Sequence, residues 1–397
     1  MKRTIMLVAV TIGSVLSAQA QTPKVPVPTS FFGMHLHDIN SVWPDAPIGA
    51  LAKGSQTAWV YIEPNPPLNG VPKFNWSTLD AWVAMAEAHE VDFYWSNAFV
   101  PRWAVSDVST CTYTPVNQPH NNACAGMVSN IAEWDDFTTA LVERYKGRIK
   151  FYELWNEPHN RKQFTGSVAD MVTLTNHFHD VIRAVDPGAL IISPSTFGYA
   201  IPFMDNYWSA GGTKDVDIVG LHGEAGVLPA EAIMSSLGRR VLSLMAKQGL
   251  SDKPLWDTEA APAQFTPDRL AAFVAVDYLL HWSVGITRLY WYAWDYDKPS
   301  SRLKDAPAGT AYRQVSKWMI GATMSSCSLS SSDVYKATYT CHLKRGEVKT
   351  RVVWNAAGSS EYTVPAGYTT YEDLSGNSHI IGGTTVEIGM APILLKP

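Results

Sequence analysis

Two glutamates that end short apolar runs carry the chemistry this sequence offers. Residues 150–160, KFYELWNEPHN, form an apolar run that stops at Pro158, directly after Glu157. Proline cannot extend a β-ladder, so we expect Glu157 at the C-terminal end of a strand. Residues 254–259, PLWDTE, repeat the arrangement and end at Glu259. Glycoside hydrolysis requires two carboxyl groups of this kind, one to protonate the leaving oxygen and one to meet the oxocarbenium-like centre.

In a retaining mechanism the two carboxyl groups stand ~5–5.5 Å apart and the second is the nucleophile. We assign Glu157 as the acid/base and Glu259 as the nucleophile, with Asn156 donating to the sugar 2-hydroxyl. We also expect ionised Glu259 to raise the pKa of Glu157, so that Glu157 is protonated at rest. One glutamate at a strand end is usually a solvated charge, whereas two at matched ends favour catalysis.

Strands and helices alternate along the chain, which predicts an α/β fold of the (β/α)8 TIM-barrel type. Glu157 and Glu259 then end strands four and seven, at the barrel mouth where catalytic residues lie. The predicted strands are 31–37, 57–62, 91–96, 149–155, 189–193, 217–222, 254–258 and 286–292. The predicted helices are 76–89, 131–145, 168–185, 203–209, 230–247, 267–282 and 310–320.

The composition changes at residue 324, where a Ser-rich stretch precedes short alternating runs separated by Gly and Ser turns. This pattern predicts a small antiparallel β-sandwich domain over 324–397, following a catalytic barrel over 21–323. The Pro-rich residues 21–30 are candidates to add a strand to it.

The first 20 residues have the features of a signal peptide: a basic start, an apolar stretch and an Ala18-Gln19-Ala20 cleavage site. We therefore predict a secreted or periplasmic, bacterial protein. Four cysteines allow three pairings. The local choices are Cys111 with Cys124, which would pin the long loop 106–129, and Cys327 with Cys341; free buried thiols are the alternative.

The charge of the chain excludes some classes of partner. A net charge of -5 and a pI near 6.1 give no electrostatic basis for binding nucleic acid or an anionic membrane. Fifteen Trp and seventeen Tyr suit either core packing or platforms for sugar rings. We expect carbohydrate as the partner and no cofactor or metal, and the oligomeric state stays open.

The Asn156-Glu157-Pro158 motif on strand four, with Glu259 on strand seven, resembles clan A of the glycoside hydrolases, the 4/7 superfamily, over about residues 30–322. The resemblance implies the same acid/base and nucleophile roles. The loop 101–103, the spacing of Trp291 and Asp295 and the trailing β-domain are similar to family 39, which includes β-xylosidases and α-L-iduronidases. Families 30, 5 and 79 have similar layouts.

The sequence departs from the clan pattern at two places. The clan usually has an arginine on strand two, and residues 57–63 contain none. Many members have His-x-Tyr after strand six, where this chain has His222-Gly223-Glu224.

Further candidates for substrate binding follow the predicted strand ends. We expect the ring of Trp291 to form the base of the sugar subsite next to the scissile bond. The others are His35, His37, Asn97, Trp103, His222, Glu224 and Trp294. Trp155 and Tyr292 are either platforms or core.

Two other classes of protein are rival interpretations. His35, His37, His222 and Asp295 loosely resemble the ligands of a metal-dependent amidohydrolase barrel. A carbohydrate-binding protein that has lost its chemistry is the second rival. Xylose-, glucose- and arabinose-based substrates, and exo or endo cleavage, remain open.

Overall fold

The computed structural model describes residues 22–53, 74–111, 123–212, 215–223, 230–232, 238–262, 265–295 and 301–397. Eight parallel strands form one sheet in the order β5-β4-β3-β2-β1-β8-β7-β6. A parallel bridge between Ile192 and Ile218 joins the two outer strands and closes the barrel. The strands are β1 (Phe32–Leu36), β2 (Ala50–Lys53), β3 (Asp92–Ser96), β4 (Phe151–Glu153), β5 (Leu190–Ile192), β6 (Val219–Leu221), β7 (Leu255–Ala260) and β8 (Ile286–Trp291). The predicted barrel is confirmed.

The second strand differs from its prediction. β2 pairs in parallel with β1 and β3, upstream of the predicted residues 57–62, which lie outside the described residues. Its alanines Ala50 and Ala52 face the barrel interior beside large rings. Alanine is depleted in strands, so the sequence of β2 carries little β-pattern.

Eight helical segments are described around the barrel. They are α1 (Ser77–Ala88), α2 (Ile131–Arg144), α3 (Val168–Val185), α4 (Ile201–Ser209), α5 (Ala230–Ala232), α6 (Arg239–Lys247), α7 (Pro267–Ser283) and α8 (Ala308–Met319). Local sequence sets several bounds; α3, for example, begins at a capping box formed by Ser167 and Asp170. α7 is buried on nearly every side, since it packs under both the barrel and its neighbouring helices. None of the helices in the described ranges has the length and apolarity needed to cross a bilayer.

Large side chains fill the barrel interior and support the mouth. Arg288 lies over the rings of Phe151 and Trp256, 4.9 and 4.2 Å from their centroids, and pairs with Asp92 at 3.2 Å. Tyr290, two residues along β8, meets Tyr94 edge to face. Inward positions on β8 therefore alternate, and Trp291 must face the helices.

After α8 the chain forms the predicted antiparallel β-sandwich. A six-stranded sheet has the order β14-β13-β16-β11-β10-β9, and β12 pairs with β15. The strands are β9 (Thr323–Leu329), β10 (Thr338–Arg345), β11 (Val348–Asn355), β12 (Ser360–Thr363), β13 (Thr370–Glu372), β14 (Ser378–Ile380), β15 (Thr385–Ile388) and β16 (Ile393–Lys396). The sequence did not predict β9 and β14, because Ser-rich and Gly-flanked stretches resemble linkers.

Both predicted disulfides, Cys111–Cys124 and Cys327–Cys341, are present. The Pro-rich segment at 21–30 contributes a single bridge, in which Val27 pairs with Ile320 at the end of α8. Within the described residues this segment therefore bonds to the chain just before the β-sandwich begins, and it is not a strand of the six-stranded sheet.

Candidate active site

The loop after β4 holds Glu157 in a fixed and unusual backbone conformation. Its φ of 47° lies in the left-handed region, which non-glycine residues rarely adopt. Its N–H donates to the carbonyl of Ser195 at 2.9 Å, and its own carbonyl accepts from Asn160 at 2.9 Å. Such strain persists only where the surroundings enforce it, and it concentrates at functional sites.

His222 is the nearest charged partner of Glu157. Its Nδ1 donates to Oε1 of Glu157 at 2.9 Å, and the imidazole is fully buried. Asn160 Nδ2 lies 3.4 Å from the other carboxyl oxygen. β6 ends directly before His222, so the strand places the ring at the mouth.

Glu259 completes the group from the end of β7. One carboxyl oxygen of Glu157, one of Glu259 and a ring nitrogen of His222 all lie within 4.8 Å of one another. The sequence predicted that the two glutamates would meet, and the barrel brings them together at its mouth. The two carboxyl groups and the imidazole are therefore close enough to interact directly.

The backbone beside Glu259 is anchored by two interior side chains. The Thr258 carbonyl accepts from His35 Nε2 at 2.7 Å and from the Tyr94 hydroxyl at 2.9 Å. His35 is 2% exposed, so the predicted sugar contact gives way to a supporting role for β7. It faces inward because alternate residues of β1 do.

The charges within the site differ from the predicted ones. Burial opposes a charge on His222, but Glu259, the bond to Glu157 and the charge of Glu157 outweigh it and raise the imidazole pKa to about 10. Burial likewise opposes ionisation of Glu157, yet the hydrogen bond and charge of His222, together with the hydrogen bond of Asn160, leave its pKa below the usual value. The prediction of a raised Glu157 pKa is wrong, because it considered Glu259 and omitted His222.

Glu153, which the sequence analysis missed, lies below this group inside the barrel. It is fully buried and accepts from Ser96 Oγ at 2.6 Å and Ser195 Oγ at 2.5 Å. Burial raises its pKa more than the charge of His222 lowers it. Strand alternation with Phe151, an interior residue, would have revealed it as a carboxyl that points inward.

The polar candidates after strands three and four, Asn97 and Asn156, are both buried. Asn97 is 1% exposed; its Oδ1 accepts from Trp95 Nε1 at 3.0 Å, and its carbonyl accepts from the Asn156 N–H at 2.7 Å. Asn97 thus supports Asn156 through its backbone, and its sugar contact stays a prediction. Asn156 itself lies directly before Glu157 and is also buried. Glu224 lies outside the described residues.

The tryptophan candidates are mostly core. Trp291 has no exposed surface, donates to the Ser301 carbonyl at 2.8 Å and packs on Phe273, so the prediction of a sugar floor is wrong. Trp155 is also fully buried. Trp103 is half-buried against the main core. Trp294 lines a separate cavity of about 320 Å³ with residues 41–45 and Lys304.

Two aromatic rings, those of His37 and Tyr292, lie where β1 and β8 end. His37 is half-buried and meets Tyr292 at 4.8 Å, edge to face. The backbone N–H of His37 donates to Asp295 Oδ1 at 2.8 Å, which fixes the end of β1 against the loop after β8. Tyr292, the residue directly after β8, therefore packs on the two histidines at the end of β1, His35 and His37.

Glu157, His222 and Glu259 form a donor set that could also hold a cation. Among the described residues this is the one group of three or more such side chains in reach of a common ion. The set predicted for an amidohydrolase does not assemble: His35 is bound to Thr258, and Asp295 accepts from the backbone of residues 37 and 38.

Comparisons with known proteins place the fold. No protein-family model and no curated protein matches the sequence. Three similar solved structures show the barrel and β-sandwich together. A family 39 glycoside hydrolase from Bacteroides cellulosilyticus WH2 has a TM-score of 0.70 and 15% identity, covering 93% of this chain and 81% of that one. A monomeric β-xylosidase from Caulobacter crescentus CB15 has a TM-score of 0.63 and 14% identity over 96% and 98% of the chains. A family 30 endoxylanase from Clostridium papyrosolvens C71 has a TM-score of 0.60 and 13% identity, covering 95% of this chain and 99% of that one.

The chain shares the fold of these glycoside hydrolase structures, so the resemblance predicted from the sequence is confirmed at the level of fold.

Proposed function

We propose that this protein is a secreted retaining glycoside hydrolase that cleaves β-glycosidic bonds of a poly- or oligosaccharide. The observation that carries the proposal is the approach of a Glu157 oxygen and a Glu259 oxygen within 4.8 Å at the barrel mouth. Two carboxylates at this separation repel each other, and this cost is justified when both take part in a reaction.

The first step forms a covalent intermediate. A Glu259 oxygen attacks the anomeric carbon as the bond to the leaving oxygen breaks, and Glu157 delivers a proton to that oxygen. Since the pKa of His222 is raised to about 10 while that of Glu157 is lowered, the proton of the free site rests on the imidazole. The 2.9 Å bond lets His222 pass this proton to the Glu157 carboxylate as the leaving group departs.

The second step releases the sugar. Glu157, now ionised, accepts a proton from water, and the water oxygen attacks the anomeric carbon and frees Glu259. The proton returns through Glu157 to His222, which restores the starting charges. Asn156, beside Glu157, is placed to bond the sugar 2-hydroxyl.

The similar structures narrow the substrates to test. They include a β-xylosidase, an endoxylanase and a xyloglucanase, so xylan- and glucan-type substrates come first. Short glycosides test exo cleavage of terminal residues, and polymers test endo cleavage of internal bonds. The two disulfides suit the oxidising compartment that secretion would provide.

The cation-compatible donor set supports a second candidate, a metal-dependent hydrolase built on Glu157, His222 and Glu259. In that case activity would require added Zn²⁺ and be lost with a chelator. A carbohydrate-binding protein without chemistry would bind the same polymers and release no product.

The deciding experiment measures hydrolysis of plant and microbial polysaccharides and aryl β-glycosides by wild type and Glu259→Ala, each with and without azide and a chelator. We expect wild type to be chelator-insensitive and the variant to be inactive. Azide should restore turnover and yield the glycosyl azide of inverted configuration. Wild-type turnover in Glu259→Ala would overturn the two-glutamate mechanism, and loss of wild-type activity with chelator would favour the metal candidate.

A further inference from the structure

Three ionisable side chains with no exposed surface lie behind the site, between β7 and α7. His281 Nε2 donates to Asp257 Oδ2 at 2.9 Å, and His281 Nδ1 lies 3.2 Å from Asp277 Oδ1. We call these residues, Asp257, His281 and Asp277, the Asp257 cluster. None of the three takes part in the proposed reaction, yet burying such groups is costly unless they are paired.

The Asp257 carboxylate joins two parts of the site. Its Oδ1 accepts from the backbone N–H of Glu259 at 3.2 Å. Its Oδ2 accepts from the backbone N–H of Gly223 at 3.0 Å, directly after His222. One side chain therefore connects the strand end that carries the nucleophile to the loop that carries the partner of the acid/base.

Gly223 is required for this connection. A Cβ at position 223 would overlap Asp257 Oδ2 and crowd His281 Nε2. Gly223, the residue directly after His222, thus makes room for the Asp257 carboxylate.

The charges of the cluster favour an imidazolium at His281, beside the Asp257 carboxyl group. Burial opposes a charge on His281, but Asp277 and the bond to Asp257 outweigh it and raise its pKa to about 10. Burial raises the pKa of Asp277. At neutral pH an imidazolium therefore faces Asp257, and its ring is held by the Asp277 carbonyl at 2.8 Å.

We infer that the Asp257 cluster is a positioning device, which sets the separation of Glu259 from the His222–Glu157 hydrogen bond by tying the ends of β7 and β6 together. The inference rests on the proposed function. Asp257 does not touch the substrate, so its loss should act on turnover and not on binding.

The test compares Asp257→Asn and Gly223→Ala with wild type, in the full chain, on the best substrate of the hydrolysis panel. Asparagine places an N–H donor against one of the two backbone donors, and alanine displaces the carboxylate. Because small misplacements near reacting atoms cost about 100-fold, kcat should fall roughly 100-fold in each, with KM nearly unchanged. Both substitutions break the same connection between Asp257 and Gly223. The kcat of the double variant should therefore be little lower than that of either single variant.

Glu231→Gln is the matched control. Glu231 is another buried carboxyl, which accepts from Trp354 Nε1 at 2.9 Å at the β-sandwich. Its loss should lower the melting temperature and leave kcat unchanged. If Asp257→Asn does not fold, Gly223→Ala decides the question, since it leaves the buried charges in place.

Wild-type kcat in the folded variants, or a rise in KM that accounts for the whole loss, would overturn the inference. Glu259→Ala with azide, assayed alongside, separates the two proposals. If Glu259→Ala is inactive and rescued while Asp257→Asn and Gly223→Ala turn over normally, only the positioning role is lost. If Glu259→Ala stays active, the proposed function itself fails.

Discussion

At the scale of single residues, the site is defined by where its protons lie. Two glutamates alone would place the proton on Glu157, because each carboxylate raises the pKa of the other. The buried His222 changes this outcome, since its Nδ1 lies 2.9 Å from Glu157 and its pKa is raised to about 10. In the proposed mechanism the acid/base is therefore a carboxylate and an imidazole that act together.

His222→Gln should therefore change the pH dependence of activity. In wild type the required proton is lost only as the pH rises through about 10, the pKa of His222. Without the imidazole the proton must reside on Glu157, so we expect the alkaline limb of kcat/KM to move to lower pH. General acid catalysis contributes about 100-fold or more, so kcat/KM above neutral pH should fall by roughly that factor.

His159→Gln is the control for this measurement. His159 lies two positions after Glu157, but its pKa is lowered to about 4, chiefly by burial, so it is neutral in the same range. Its loss should leave the alkaline limb in place. An alkaline limb that stays near pH 10 in His222→Gln would show that the imidazole does not hold the proton.

At the scale of elements, the loops after β3 and β4 are joined around the first disulfide. Cys124 pairs with Val100 through two backbone bonds of 2.8 Å, and the Ala125 carbonyl accepts from Thr165, in the segment that follows Glu157. Cys111–Cys124 therefore fixes one rim of the mouth. Cys327–Cys341 joins β9 to β10 within the β-sandwich.

Removing each disulfide in turn should show that both stabilise the fold and that only the first affects substrate binding. The cysteines are 13 and 14 positions apart, so each closed loop should stabilise the fold by a similar amount, about 3 kcal/mol. We expect paired Cys→Ser variants to lower the free energy of unfolding about equally. Only the first pair should raise KM. An equal KM change in both variants would contradict a role for the loop at the mouth.

At the scale of the whole molecule, the β-sandwich is attached to the barrel through α8. Glu372 of β13 accepts from Gln314 Nε2 at 3.0 Å and Trp318 Nε1 at 3.2 Å, both on α8. Arg345 donates to the carbonyls of Lys317, Trp318 and Ile320 at the end of the same helix. Buried donors and acceptors at this contact favour unfolding of both parts in one transition.

Glu372→Ala should destabilise the whole chain without changing kcat. It leaves buried donors unpaired, which costs about 2–3 kcal/mol of unfolding free energy, measured by denaturant titration at pH 7. Burial opposes ionisation of Glu372, but Lys396 and Trp318 leave its pKa lowered, so its contribution is lost as the pH falls through the folded pKa. The difference from wild type should therefore shrink in acid.

Glu347→Ala serves as the control, because Glu347 is 96% exposed in the turn between β10 and β11 and pairs only weakly with Lys344. It should leave the unfolding free energy nearly unchanged. Equal stability of Glu372→Ala and wild type would show that this contact does not hold the two parts together.

The sequence by itself determined the features that local patterns encode. The helix predicted over 168–185 is α3, and the alternation of strands and helices predicted the closed parallel barrel. The topology then placed Glu157 and Glu259 at one mouth, since strand ends of a parallel barrel meet on one face.

Only the tertiary structure decided which side chains support that pair. His222 and Glu157 are 65 positions apart in the sequence, and Asp257 and Gly223 are 34 positions apart. No local pattern therefore predicts the hydrogen bonds that join each pair. Trp291 resembled a sugar platform because its strand end was correct, but the inward and outward alternation of β8 turned it to the helices. The pKa of a buried group likewise depends on neighbours that the fold assembles, which is why the charge of Glu157 was predicted wrongly.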